Sequence, residues 1–133
     1  MAFNTTYHDL GIRKGMSLVE ATRKACENCG NATDISLSIQ YALDHKLDIG
    51  GLVTMTDNEV NTNRHPALAV REYREKRVPD FRNIMWATTA TSFTCNDPND
   101  KFGMDVCGFD TTAPSVVADF IRGEAVTPEP VED

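Results

Sequence analysis

A chain of 133 residues is long enough for one domain with a real core. Its content, 41% hydrophobic and 25% charged, is that of a globular protein, and no apolar run is long enough to span a bilayer. The formal net charge of −7 argues against autonomous RNA or DNA binding, because that affinity comes largely from phosphate neutralisation; it suits a divalent cation or a basic partner surface.

The N-terminus lacks a basic region followed by an apolar core, so no signal peptide is expected. Met1 to Tyr7 is short and β-prone, and Asp9 to Gly15 reads as a loop. Ser17 with Glu20 three residues on makes a capping box. Leu18, Val19, Ala21, Thr22, Ala25 and Cys26 then give one apolar helix face, ended by Gly30. Cys26 and Cys29 have CxxC spacing, but no second pair completes a zinc site, and the motif falls at a helix end rather than at the N-terminus that activates a redox thiol. Reduced thiols in a cytosol are expected for the four cysteines, and burial on a helix face for the Cys26/Cys29 pair.

A second helix follows, capped by Thr33 or Asp34, with Ile35, Leu37, Ile39, Ala42 and Leu43 as its apolar positions. Gly50-Gly51 stops it, and Gly51 to Thr56 reads as a buried strand. That strand delivers Asp57, Asn58 and Glu59 at its C-terminal end, where ligands sit in open α/β sheets.

His65-Pro66 opens the third helix. Ala67, Leu68, Val70, Tyr73 and Val78 face inward, and Arg71, Glu72, Arg74, Glu75, Lys76 and Arg77 form a solvated outer face. Arg82 to Thr89 is a further buried strand carrying Trp86, Asn96 to Lys101 a solvated acidic turn, and Gly103 to Phe109 a short strand. Thr112 caps a last helix, Ala113 to Ile121, with Val116, Val117 and Phe120 inward and Gly123 at its end. The acidic, proline-containing stretch 124–133 is expected to be a disordered tail outside the domain 1–123. Strands alternating with helices predict a three-layer α/β domain with a mainly parallel sheet.

Two polar clusters follow structural breaks: Asn31-Ala32-Thr33-Asp34 and Asp57-Asn58-Glu59. A hydroxyl with carboxylates is hard-oxygen chemistry suited to Mg²⁺, and the same residues also serve as ordinary helix caps. No nucleophile motif and no glycine-rich phosphate loop occurs, so an enzyme is not expected.

Thr56-Asp57-Asn58-Glu59, then His65-Pro66-Ala67-Leu68-Ala69-Val70-Arg71-Glu72-Tyr73-Arg74-Glu75-Lys76, Thr94-Cys95-Asn96-Asp97-Pro98-Asn99-Asp100 and Gly103-Met104-Asp105-Val106-Cys107-Gly108-Phe109-Asp110-Thr111 occur in this order. Together they closely resemble the C-terminal von Willebrand factor A-like (vWA) domain of the Ro (TROVE-domain) ribonucleoprotein family, from Met1 to Ile121. The resemblance implies a Rossmann-like vWA fold with a metal-ion-dependent adhesion site (MIDAS), in which Thr33 matches the threonine and Asp57 the aspartate. Asp34, Asn58 and Glu59 are the neighbouring binding candidates.

The departures are specific. No DxSxS motif occurs, the glycines that precede the threonine read Asn31-Ala32, and the family's first strand and its helix lie outside the match. The expectation is therefore a partial adhesion site in which Mg²⁺ binds weakly, only with a partner, or not at all. A protein partner would contact the metal-site face, RNA would be met only indirectly, and no membrane is involved. Three repairs would fill the sheet: pairing of Met1–Tyr7 with Gly51–Thr56, a second copy, or a separately encoded TROVE/N-terminal vWA fragment supplying the strand in trans. A chain that keeps the scaffold as a structural or interaction protein without metal is the remaining alternative.

Overall fold

The computed structural model describes residues 2–3, 6–27, 33–56, 65–88, 96–108 and 110–124. Its elements in order are β1 (Ala2–Phe3), β2 (Tyr7–His8), α1 (Leu18–Cys26), α2 (Leu37–Asp44), β3 (Gly51–Thr56), α3 (Pro66–Lys76), β4 (Arg82–Ala87), β5 (Gly103–Cys107) and α4 (Ala113–Arg122). The central sheet is parallel with order β3-β4-β5; Gly51 pairs with Arg82 and Asn83 with Gly103 at its N-terminal ends. No described helix is long and apolar enough to cross a membrane.

Alternation along β3 separates the two faces of the sheet. Leu52 packs with a buried cluster of Ile39 and Ala42 from α2, Ala69, Val70 and Tyr73 from α3, and Phe81. The next residue back faces the other way: a Cβ on Gly51 would lie 3.2 Å from the Ile121 side chain of α4 and 3.4 Å from the Arg82 carbonyl oxygen. Glycine lets α4 approach β3 here. Helices thus lie on both faces, the three-layer arrangement the alternating pattern predicts.

Several helix ends follow local chemistry. The Ser17 hydroxyl accepts from the Glu20 N–H at 3.2 Å, the first half of the capping box. His65, one residue before Pro66, caps α3 through its Nδ1, which accepts from the Ala67 N–H. Asp110 accepts from the Thr112 hydroxyl and N–H, and these bonds hold its carboxyl below the usual carboxylate range. Gly123 closes α4 in the left-handed conformation at φ 83°.

Of the three ways of filling the sheet, pairing of the N-terminal stretch with β3 is not the one the structure shows. Ala2–Phe3 and Tyr7–His8 pair with each other as an antiparallel hairpin rather than with β3. Tyr7 stacks on Tyr41 of α2 at 4.0 Å, and Tyr41 on His45 at 3.9 Å, so an aromatic ladder seats the hairpin on the helix. Burial there, with Tyr41 and Asp9 nearby, raises the Tyr7 pKa.

Helix α1 also corrects the sequence reading. None of its residues is buried; Leu18 and Val19 are 83% and 81% exposed, and Cys26 is exposed rather than packed. Its apolar stripe is real, but no described element covers it. The same holds for one face of β3: Thr54 and Thr56 are buried, whereas Val53 and Met55 are exposed. Leu68 of α3, expected inward, is 55% exposed, and Ala69 takes the buried position. Cys29, Gly30, Thr89, Phe109 and the tail residues 125–133 lie outside the described residues.

Candidate functional site

Parallel pairing sends β3, β4 and β5 out at one edge, where they end at Thr56, Ala87 and Cys107. The ladder runs to that edge: Thr88 N–H donates to the Thr56 carbonyl at 2.9 Å, and Gly108 N–H to the Ala87 carbonyl at 3.0 Å. The Trp86 indole N–H donates to the Gly108 carbonyl at 2.7 Å, fastening the turn after β5; half-buried Trp86 serves this bond rather than lying in the deep core. Asp57, Asn58 and Glu59 follow β3 directly and lie outside the described residues.

Thr33 and Asp34 are described, and both are half-buried in the turn before α2. Neither is the N-cap, which is Ser36. Asp34 works two residues upstream instead. Its Oδ1 accepts from the Ser36 N–H at 3.0 Å and from the Ser36 hydroxyl at 2.6 Å, an Asx turn that starts the helix. Thr33 makes no hydrogen bond to a described residue.

A divalent cation needs several oxygens at one point. Among the described residues no group of three His, Cys, Asp or Glu side chains could hold a metal ion. The described part of the site supplies one unengaged hydroxyl, from Thr33, and a carboxylate with one oxygen already committed to Ser36. These residues do not by themselves fit a metal.

A second polar constellation was missed by sequence reasoning. Arg74, assigned to the solvated face of α3, turns inward: Nη1 donates to Asp100 Oδ2 at 2.7 Å and Nε to the Phe81 carbonyl at 2.9 Å. Both side chains of the ion pair are largely buried, at 17% and 13% exposure. The turn expected to be solvated is therefore packed onto the domain. Asn96 lies under it, accepting from Asn83 Nδ2 at 2.7 Å and donating to the Met104 carbonyl at 3.0 Å and to Asp105 Oδ1 at 2.9 Å. Gly103 allows this overlay, since a Cβ there would lie 3.2 Å from Asp100 Oδ2.

One signal could have found the arrangement: Ala67, Val70 and Arg74 share a 3–4 helical spacing, which places Arg74 on the inward stripe. Between α3 and the turn runs an open cleft of about 240 Å³ lined by Ala67, Val70, Arg71, Arg74, Glu75, Asn96, Asp97 and Asp100. On the true outer face, Lys76 and Glu72 form the expected i,i+4 pair at 2.8 Å, which contributes little because it is exposed.

Parallel strands in direct sequence order with helices on both faces make a Rossmann-like α/β domain, the architecture of the von Willebrand factor A type. The chain belongs to the Ro60 vWA domain family, whose model matches residues 1–121.

It is 35% identical over 125 residues to the RNA-binding protein RO60 of Deinococcus radiodurans, covering 93% of this chain and 24% of that protein. It is 31% identical over 94 residues to the RNA-binding protein RO60 of Caenorhabditis elegans, covering 69% of this chain and 15% of that one. Among solved structures, the Deinococcus radiodurans RO (RSR) protein matches with a TM-score of 0.76 at 29% identity, over 92% of this chain and 25% of that chain. The chain spans a quarter or less of the length of these relatives.

Proposed function

We propose that the chain is a protein-interaction module of a Ro-like ribonucleoprotein. Its contact face is the C-terminal edge of the sheet, with Thr33 and Asp57 as a partial metal site and Asp34, Asn58 and Glu59 beside them. RNA is met through the rest of the assembly, consistent with a chain of net charge −7. The setting proposed is cytoplasmic, and no catalytic step is assigned.

The observation that carries this reading is the commitment of Asp34 to its own turn, which leaves the described half of the site short of oxygens for a cation. Adhesion that borrows a carboxylate from a partner needs fewer protein ligands than a resident metal.

Isothermal titration of the full chain with Mg²⁺ tests it. The expected result is binding weaker than about 1 mM, equivalent to less than about 4 kcal/mol. Micromolar binding that Asp57→Ala abolishes would instead assign a complete metal site.

A second reading is favoured by a separate observation. Val53 and Met55 on β3 and Leu18 and Val19 on α1 are apolar and exposed. A separately encoded fragment that completes the sheet in trans would cover such surface.

A further inference from the structure

Strand β4 begins with an arginine that the rest of the domain leaves without a counter-charge. Among the described residues three arginines are half-buried: Arg74, Arg77 and Arg82. Arg74 has Asp100 at 2.7 Å, and Arg77 has Asp48 at 2.7 Å. Arg82 has no described carboxylate within ion-pair distance, and its guanidinium donates no hydrogen bond to a described residue. Arg74 and Arg77 each hold a buried nitrogen without a partner, whereas Arg82 holds none, so its unused N–H groups reach solvent.

Aromatic rings hold Arg82 instead. Its Cζ lies 5.5 Å from the centre of the Phe102 ring and 5.2 Å from that of Phe120. Both distances are within the range of about 6 Å in which a ring face attracts a cation. Gly123 leaves it room, since a Cβ there would lie 3.0 Å from Arg82 Nη2. Strand β4, the turn into β5 and helix α4 thus fix one guanidinium whose donors remain open. A planar fork fixed in this way is organised in advance for two oxygens of one anion.

Other cations meet at the same ring. Lys101 Nζ lies 4.8 Å from the centre of Phe102, and Arg74 Cζ 5.5 Å. Asp100 neutralises Arg74, and Lys101 is exposed with no ion pair to a described residue. Three cations and one carboxylate leave an excess of two positive charges at Phe102. The C-terminal end of α4, at Gly123, offsets part of one through its dipole.

We propose that Arg82 and Lys101 form a binding site for a small phosphomonoester. Arg82 grips two phosphate oxygens, and Lys101 adds a point charge. A monoester carries a charge of about −1.5 to −2 at pH 7, which matches the excess, whereas a carboxylate balances half of it. The net charge of −7 opposes a long polyanion more than one phosphate group. The site is at the opposite end of the sheet from the contact face proposed above, so the two readings stand or fall separately.

The test is an NMR titration of the full chain with methyl phosphate at low ionic strength, read at the Arg82 side-chain Nε–H. A saturable shift is expected with a Kd of about 1 mM, and binding of acetate about tenfold weaker. Lys101→Gln removes an exposed charge and should weaken methyl phosphate about tenfold. Arg82→Lys keeps the charge and loses the fork, with a similar loss expected. Arg71→Gln, at an exposed arginine away from Phe102, should bind as the parent does.

Absence of a saturable shift overturns the proposal. So does acetate binding as tightly as methyl phosphate, or an equal loss in Arg71→Gln and Lys101→Gln, which would mean attraction by general charge. Lys101→Gln decides the matter even where Arg82→Lys fails to fold. A single-stranded RNA that shifts Arg82 when methyl phosphate does not would make a nucleic acid the ligand and overturn the monoester. Binding seen only after Glu129→Gln and Glu132→Gln would make the acidic C-terminal stretch the occupant and also overturn it.

Discussion

Asp100→Ala is expected to destabilise the domain by about 3–5 kcal/mol, because it leaves a buried guanidinium without its counter-charge. Arg74 already holds one buried nitrogen, Nη2, with no partner, so loss of Asp100 adds a second unsatisfied donor to the same guanidinium. Asp100 also accepts from the Phe102 N–H at 3.0 Å, which shapes the turn into β5. Asp100→Asn separates the two roles: it keeps an oxygen for that turn and removes the charge, so it should recover only part of the loss.

The pair is not expected to be worth its breaking cost. Arg74→Met combined with Asp100→Leu should be less harmful than Asp100→Ala alone, since replacing both charges removes their desolvation penalty too. The double variant gives up the bond to the Phe81 carbonyl and the one from the Phe102 N–H, a net loss of about 1 kcal/mol each. Urea denaturation at constant m-value measures each change. A double variant as unstable as Asp100→Ala would mean that the ion pair itself, and not the orphaned charge, holds the turn.

The second large effect is expected at Phe81. Phe81→Ala should cost about 3–5 kcal/mol by removing a fully buried ring and leaving a cavity. Phe81 meets Tyr73 edge-to-face at 4.7 Å, and Tyr73 is equally buried. The Tyr73 hydroxyl donates to the Leu47 carbonyl at 2.6 Å and accepts from the Ile49 N–H at 2.9 Å. Those residues lead into β3, so one side chain of α3 sets where the strand begins.

Tyr73→Phe keeps the ring and leaves the Ile49 N–H unsatisfied, at a cost of about 1–3 kcal/mol. A Phe81→Ala variant within about 1 kcal/mol of the parent in thermal and urea melts would contradict this account.

What was legible in the residues follows from how local each signal is. Strand β3 is bounded as its pattern predicts because a glycine pair and a polar turn bracket a β-branched run. Pro66 within α3, and Gly123 after α4, mark helix ends by fixing or freeing one backbone angle.

Arg74 and Asp100 were not legible in the same way. They are 26 residues apart, and a rule that puts charge outside has no term for a partner that distant. Asn96 is buried for the same reason: its partners are Asn83, Met104 and Asp105 on two different strands. For α1, periodicity identifies a face that suits a cover, and only the packing tells whether a cover is there. At the site, Thr33 and Asp34 each admit a capping and a binding role; the structure puts Asp34 in the turn and leaves Thr33 unengaged.

The spatial order of the central sheet is also its order along the chain. Each strand meets the next after one short crossover, so the chain closes only modest loops while assembling β3 through β5. Hairpin β1–β2 touches α2, and no α1 residue is fully buried, so neither belongs to the core of that assembly. The consequence is a graded molecule. Amide exchange should be slowest along β4, which is flanked on both sides, and fastest in α1, which has no fully buried residue.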